Sequence, residues 1–280
     1  MESGLKQQSL LTSTVPFALS RAVVTARLFQ DHLRTLFSIS LFVLLVPVAI
    51  ADTIVADRPG FSTGTHTVKP GRLNLEIGYQ AAFSNDGPDK TTHTTPLLTL
   101  RTGLSERTEI NLLWSGWNHI SNGASDTSVS DLSIGGKYRL RQTDQYNLTA
   151  LGLISLPVGT GASTSDHVDP TIALLGDYSL ADKLDLFGVI QTVSSVVTGG
   201  RDYNFQSAIG LALSHTDNFG TFVEYYNDVP LQSGDAATAH VINGGVMWLL
   251  TSEIQLDING GVSLDNNTDD FIGFGLAMRF

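Results

Sequence analysis

From Asp52 onward, apolar and polar residues alternate with a period of two along almost the whole chain. RLNLEIGYQAAF sets Leu73, Leu75, Ile77, Tyr79, Ala81 and Phe83 on one face and Asn74, Glu76, Gly78 and Gln80 on the other. EINLLWSGW, SDLSIGGKYRL, LDLFGVIQT and IQLDINGGV repeat the pattern, and TPLLTLRTG, YNLTALGLISL, PTIALLGDYSL, YNFQSAIGLALS, FGTFVEYYND and AHVINGGVMWLL carry weaker versions. The chain ends on FIGFGLAMRF, with Ile272, Phe274, Leu276, Met278 and Phe280 alternating against Gly273, Gly275, Ala277 and Arg279. This is strand periodicity, with almost no helical period. It gives about twelve strands of roughly ten residues, the length a tilted strand needs to cross a bilayer.

The connections sort by length. LSER, RQTDQ, ADK, HTDN and TSE are short, whereas SNDGPDKTTH, HISNGASDTS, VGTGASTSDH, SVVTGGRD, DVPLQSGDAATA and LDNNTDD are long and rich in turn-forming polar residues. Long–short alternation is what an up-and-down barrel produces when tight turns face the periplasm and loops face outward. A soluble sandwich has no reason to sort its loops by parity. The expected fold is therefore an all-β, antiparallel transmembrane β-barrel over residues 72–280, closed by the strand that ends at Phe280. Its greasy face would meet lipid and its Gly/Ala face the lumen. Tyr79, Phe83, Trp114, Tyr138, Tyr178, Trp248 and Phe280 fall near strand ends, as interfacial girdles require.

Composition supports this reading. The 280 residues include 42% hydrophobic but only 15% charged, yet no stretch reaches the ~20 apolar residues of a spanning helix. Arg34 followed by the apolar run Leu36–Ile50 and by Ala49-Ile50-Ala51 reads as a secretory signal with cleavage after Ala51, placing the product outside the cytoplasm. Residues 1–51 are assigned to a leader plus signal, and 52–71 to a pre-barrel segment that is periplasmic or docks in the lumen. The formal charge of −11 and the lack of a basic stripe argue against a nucleic-acid partner. With no cysteine, disulfides, thiolate catalysis and sulfur-based metal sites are excluded.

The stretch ADRPGFSTGTHTVKPGRLNLEIGY carries Asp57-Arg58-Pro59, Pro70-Gly71 and Leu75-Glu76-Ile77-Gly78-Tyr79 in order. PLLTLRTGLSERTEI, SDLSIGGKYRL, LISLPVGT and FIGFGLAMRF follow. This ordered set resembles the outer-membrane transporter family labelled as the MetA pathway of phenol degradation. The resemblance implies a Gram-negative outer-membrane barrel that passes a small hydrophobic or aromatic solute. The terminal Phe280 resembles the C-terminal signal read by the barrel-assembly machinery, so that machinery and outer-membrane lipid are expected partners.

Three groups of residues carry candidate chemistry. Strand parity turns Glu76, Arg101, Glu109, Lys137, Arg139, Asp177, Asp185, Glu224, Asp257 and Arg279 inward, interleaved with Leu97, Leu151, Leu153, Phe187, Val189 and Tyr226. Such a row either sets channel selectivity or forms a structural network of opposite charges. Asp57, Arg58 and Pro59 are placed to dock among these charges as a plug or gate at the periplasmic mouth. Finally, His119-x-Ser121-Asn122-Gly123 resembles a stretch of outer-membrane phospholipase A, and a serine beside a histidine base is sound acyl-transfer chemistry. However, that family's orienting asparagine falls on Ser133, and parity turns His119 and Ser121 toward the lumen. The acidic loops could hold cations, but their spacing matches no calcium loop, and the histidines show no metal-ligand spacing. No cofactor or metal is expected. The expected function is passive uptake of a small solute; the alternatives are a lipid hydrolase and a closed structural barrel.

Overall fold

Residues that alternate apolar and polar can satisfy their backbones in hydrocarbon only by pairing on both edges, which forces a closed sheet. The computed structural model describes residues 53–85, 90–121, 126–197, 200–231 and 237–280. The expected leader and signal, together with Asp52, Asn122 and Gly123, lie outside the described residues.

The strand segments are β1 (Leu73–Phe83), β2 (Thr91–Ser105), β3 (Thr108–Trp114), β4 (Trp117–Ser121), β5 (Asp126–Val129), β6 (Leu132–Gln142) and β7 (Tyr146–Leu156). They continue with β8 (Asp169–Ala181), β9 (Leu184–Val197), β10 (Gly200–Thr216), β11 (Phe219–Pro230), β12 (Ala239–Thr251), β13 (Ile254–Ser263) and β14 (Asp270–Arg279). They build a closed antiparallel barrel of 12 staves, because β3 with β4 and β5 with β6 each form one interrupted stave. β1 pairs with β2 on one edge and with β14 on the other, from Asn74↔Arg279 to Phe83↔Asp270. Leu73 and Phe280 exchange both backbone hydrogen bonds, at 3.1 and 2.8 Å, so the last residue seals the seam.

The inside-out distribution of polarity identifies the medium. Ile172, Ile209, Ile258 and Phe274 are each more than half exposed on the outer face. The largest fully buried side chains include Arg101, Lys137, Glu76, Glu109 and Glu224, all inside the bore. Water would penalise the first group and lipid the second, so the outer face meets lipid and the barrel lies in the bacterial outer membrane.

Two expectations need correction. SVVTGGRD is not a long loop: β9 runs to Val197 and β10 starts at Gly200, leaving a two-residue connection. HISNGASDTS is likewise mostly strand, since β4 extends to Ser121 and β5 begins at Asp126. Polar strand tips that rise above the bilayer look like loops to a hydropathy pattern. The second correction concerns His119 and Ser121, which face outward. The stave breaks at Ser115–Gly116, where Gly116 takes φ +59, a left-handed conformation that suits glycine. A Cβ there would also lie 2.4 Å from the Thr95 carbonyl oxygen. The break flips the alternation, so Trp117 is exposed while Asn118 turns inward to Ser130 and Ser163.

Candidate functional site

Residues 53–71 form no strand or helix, so their backbone groups need partners other than a ladder. The barrel interior supplies them. The segment enters at the periplasmic rim, where Ile54 donates to the Ser252 carbonyl at 2.8 Å and Arg279 donates to the Thr53 carbonyl. It rises until the Pro59 carbonyl accepts from Asn259 at 3.0 Å, then descends to a bridge between Pro70 and Gly103.

Three wall glutamates accept its amides. Glu76 takes the N–H groups of Asp57 and Arg58, Glu224 those of Phe61 and Ser62 at 2.7 and 2.8 Å, and Glu109 that of Val68 at 2.6 Å. Wall donors take the carbonyls: Arg101 those of Val55 and His66, Lys137 that of Gly64, and Thr149 that of Thr65.

Asp57, Glu76 and Glu109 then surround Arg101 and Lys137. Arg101 contacts Asp57 and Glu109 at 3.0 Å and Glu76 at 3.2 Å, and Lys137 lies 2.7 Å from Asp57. The carboxylates outnumber the cations, and the backbone amides that Glu76 and Glu109 accept absorb the excess through charge-assisted hydrogen bonds. Breaking one partner of such a buried set costs about 3–5 kcal/mol, because the other charges are left uncompensated.

Arg58 forms a second latch, donating from Nε and Nη2 to Asp257 at 3.4 and 3.2 Å. Its guanidinium lies on the inward backbone of β1 and β14. A Cβ at Gly78 would sit 2.3 Å from Nη1, and one at Gly275 would sit 2.2 Å from Nε. The bare Gly/Ala face of the closing strand is therefore the seat of an arginine.

The opposite wall is apolar. Leu151, Leu175, Val189 and Ala208, from β7, β8, β9 and β10, form a buried cluster against which Phe61, Leu153, Ala173 and Tyr226 pack. Phe61 stacks on Tyr226 with centroids 4.4 Å apart and planes 8° from parallel. Farther along this wall, Phe187 and Phe222 approach to 6.4 Å. On the outer side of the segment lie chambers of about 290 and 310 Å³, the first bordered by Phe61, Tyr226, Asn243 and Gln80, the second by Arg58, Thr99, Leu153 and Gln191. On the periplasmic side is a mouth of about 270 Å³ bordered by His66, Glu106, Arg139 and Arg279. His66 opens to water at this mouth, with the charged side chains of the wall around it. Desolvation holds its pKa below the ordinary value; Asp177 opposes this, while Arg139, Lys137 and Arg101 reinforce it.

A family model described as "Putative MetA-pathway of phenol degradation" matches residues 56–280, which includes the latches and the whole barrel. The chain belongs to that family. No curated relative matches it by sequence. Among solved structures, it is similar to the COG4313 outer membrane channel from Pseudomonas putida F1, at 13% identity and TM-score 0.61, over 80% of this chain and 99% of that one. The NanC porin is 11% identical with TM-score 0.51, over 74% and 98% of the two chains. The translocator domain of autotransporter NalP from Neisseria meningitidis is 13% identical with TM-score 0.50, over 75% and 88%. These likenesses concern the fold, and the similar structures include channels and porins.

Within this family barrel, Glu76, Arg101, Glu109, Lys137, Asp257 and Glu224 all touch the segment, and Tyr226 stacks on it. Arg139 reaches Thr67 at 2.7 Å, Asp177 accepts from Thr65 and Asn147, and Arg279 pairs with Glu253 at 2.6 Å. Asp185 stands apart, accepting from the exposed Ser179 near the periplasmic rim. His119 and Ser121 do not pair. His119 shares a hydrogen bond with Thr127 at 3.0 Å, and Ser121 donates to the Thr91 carbonyl at 3.4 Å. The sequence reading missed Phe61, Gly78, Gly275 and Asn259. A signal for Phe61 was present: it is the one large apolar ring in the mostly polar and small-residue stretch ADRPGFSTGTHTVKPG.

Proposed function

We propose that the protein is a passive outer-membrane channel for a small solute of hydrophobic or aromatic character, and that residues 52–71 are its plug or gate. The observation that carries this reading is the mode of attachment. A segment without secondary structure crosses the bore and is held by side chains from both walls. Hydrogen bonds to side chains can be exchanged for water without disturbing the ladder, whereas a structural filler would be expected to join the sheet or pack as solid core.

In this reading Asp57, Arg58 and Pro59 are gate residues. Glu76, Arg101, Glu109, Lys137, Arg139, Asp177, Asp185, Glu224, Asp257 and Arg279 set the polarity of the passage, and Phe187 and Tyr226 form its apolar side. The carboxylates are largely spent on backbone amides and cations, which favours a neutral solute over an ion. Residues 1–51 are read as leader and signal, cleaved after Ala51, and the strand ending at Phe280 is read as the assembly-machinery contact. The passage involves no chemical step, and Ser121→Ala should leave phospholipid turnover at its background.

The test is solute entry into liposomes containing the full barrel or a barrel lacking Asp52–Lys69. Deletion should raise the uptake rate of small neutral solutes many-fold. Equal rates would defeat the gate, and no uptake by either protein would defeat the channel.

A further inference from the structure

Phe61 is the plug's one phenyl ring, and it lies face to face on Tyr226 at 4.4 Å, against the apolar cluster of the wall. The same contact places the Phe61 and Ser62 amides on Glu224. Beside it, Asn243 donates to Glu224 at 3.2 Å, but its Oδ1 is sealed from water with no hydrogen-bond partner, as is the Ser62 hydroxyl. Both groups carry the cost of an unmet hydrogen bond while the plug is docked. The site thus offers an aromatic face, an apolar floor and an unsatisfied acceptor at its edge, and it borders the outer chamber of about 290 Å³.

We propose that Phe61 occupies the seat a planar hydroxyaromatic solute takes on Tyr226, so that solute and plug compete for one site. Such a solute stacks on Tyr226 in place of Phe61 and donates a hydrogen bond from its hydroxyl to Asn243 Oδ1, which no group of the plug satisfies. Losing the Phe61 stack withdraws the anchor that holds the neighbouring amides on Glu224, and the plug loosens on that side. The solute is in this way the signal that opens its own path. This inference rests on the channel reading and adds to it a binding site, a ligand class and a trigger.

The test uses the full barrel in detergent and in liposomes, with phenol as probe and benzene and cyclohexanol as controls. Retention of the heat-modifiable band on gels establishes that each variant is folded. Phe61→Ala removes the internal competitor and should tighten phenol binding about tenfold, and Phe61→Leu should tighten it less, in line with the preference of aromatic rings for one another. Tyr226→Leu should lose the preference for phenol over cyclohexanol, and benzene, lacking the hydroxyl, should bind more weakly than phenol. In the wild type, phenol should speed hydrogen exchange at Phe61 and Ser62. Equal or weaker phenol binding by Phe61→Ala, or unchanged exchange, would overturn the competition. Uptake of small neutral solutes by the same liposomes keeps the two readings apart: uptake without competition sinks only this inference, and absence of uptake even from the plug-deleted barrel sinks the channel.

Discussion

The wall built from β1, β2, β3 and β6 holds the plug through Glu76, Arg101, Glu109 and Lys137, whereas the wall built from β7 to β11 holds it through Leu151, Leu175, Val189 and Tyr226. The difference lies in how each wall fails. Ionic contacts in a desolvated bore are cooperative, since each charge is tolerable only while its partners remain. Apolar contacts are nearly additive, and a ring can leave a stack while the rest of the wall stays intact. Glu224 joins the two regimes, because it sits on the apolar side but holds two plug amides, and Thr149 and Asp177 on the same side hold Thr65. A plug gripped firmly on one side and loosely on the other can swing without being expelled.

The largest effect should come from breaking the ionic wall. Arg101→Met removes the donor shared by Asp57, Glu76, Glu109 and two plug carbonyls, and should cost about 3–5 kcal/mol. The loss would be read as earlier unfolding in urea, followed by heat modifiability. A variant as stable as wild type would mean that the cluster is not a cooperative unit. Adding Glu109→Gln to Arg101→Met should then restore part of the loss, because one of the orphaned charges is gone.

A more selective break targets the second latch. Gly78→Val should displace the Arg58 guanidinium and leave Asp257 buried without its cation, costing the docked plug about 2 kcal/mol. The barrel should remain, since the new side chain replaces space filled by Arg58 and touches no ladder hydrogen bond. Hydrogen exchange would report faster amides at Asp57 and Arg58 with unchanged strands. If plug protection persisted, Arg58 would have to be held by something other than its glycine seat.

These two variants also mark where the sequence was legible. Period-two alternation runs unbroken through β1 and β3 and through the stretches of β2 and β6 that carry Arg101 and Lys137, so counting alone turned Glu76, Arg101, Glu109 and Lys137 inward. The same counting failed at His119 and Ser121, because one left-handed glycine resets the parity and a period carries no memory across such a break. The barrel and its lipid face were legible because the medium acts on every strand at once. The functions of Gly78 and Gly275 were not, since a glycine says only that space is needed and Arg58 is distant in sequence. For the same reason, nothing local marks Glu224 as an acceptor of plug amides.

Loosening the apolar wall should have a smaller effect. Phe61→Leu keeps most of the buried surface but loses the stack on Tyr226, a difference of about 1 kcal/mol in docking. Exchange should rise at Phe61 and Ser62 and stay slow at Asp57 and Arg58, which the other wall holds. A uniform rise along the segment would show that the plug moves as one rigid piece and that the two walls are not independent.

The smallest effect should come from pH, acting on the end of the plug that lies in the periplasmic mouth. His66 faces Asp177 from β8, Arg139 and Lys137 from β6 and Arg101 from β2, with its pKa held below the ordinary value chiefly by desolvation. A released plug regains a histidine near pH 6.5. Below that pH the released state takes up a proton that the docked state resists, so docking is favoured above about pH 6.5 and weakens as the pH falls toward the lowered pKa. The protection of the His66 and Thr67 amides, taken relative to the intrinsic exchange rate at each pH, should therefore fall between about pH 7 and 5.5, with little change at Phe61. Because the ring touches water, screening keeps the effect small. His66→Gln has no proton to gain, and its protection relative to the intrinsic rate should be flat across the same range. An equal pH response in that variant would move the effect from the histidine to the carboxylates of the ionic wall.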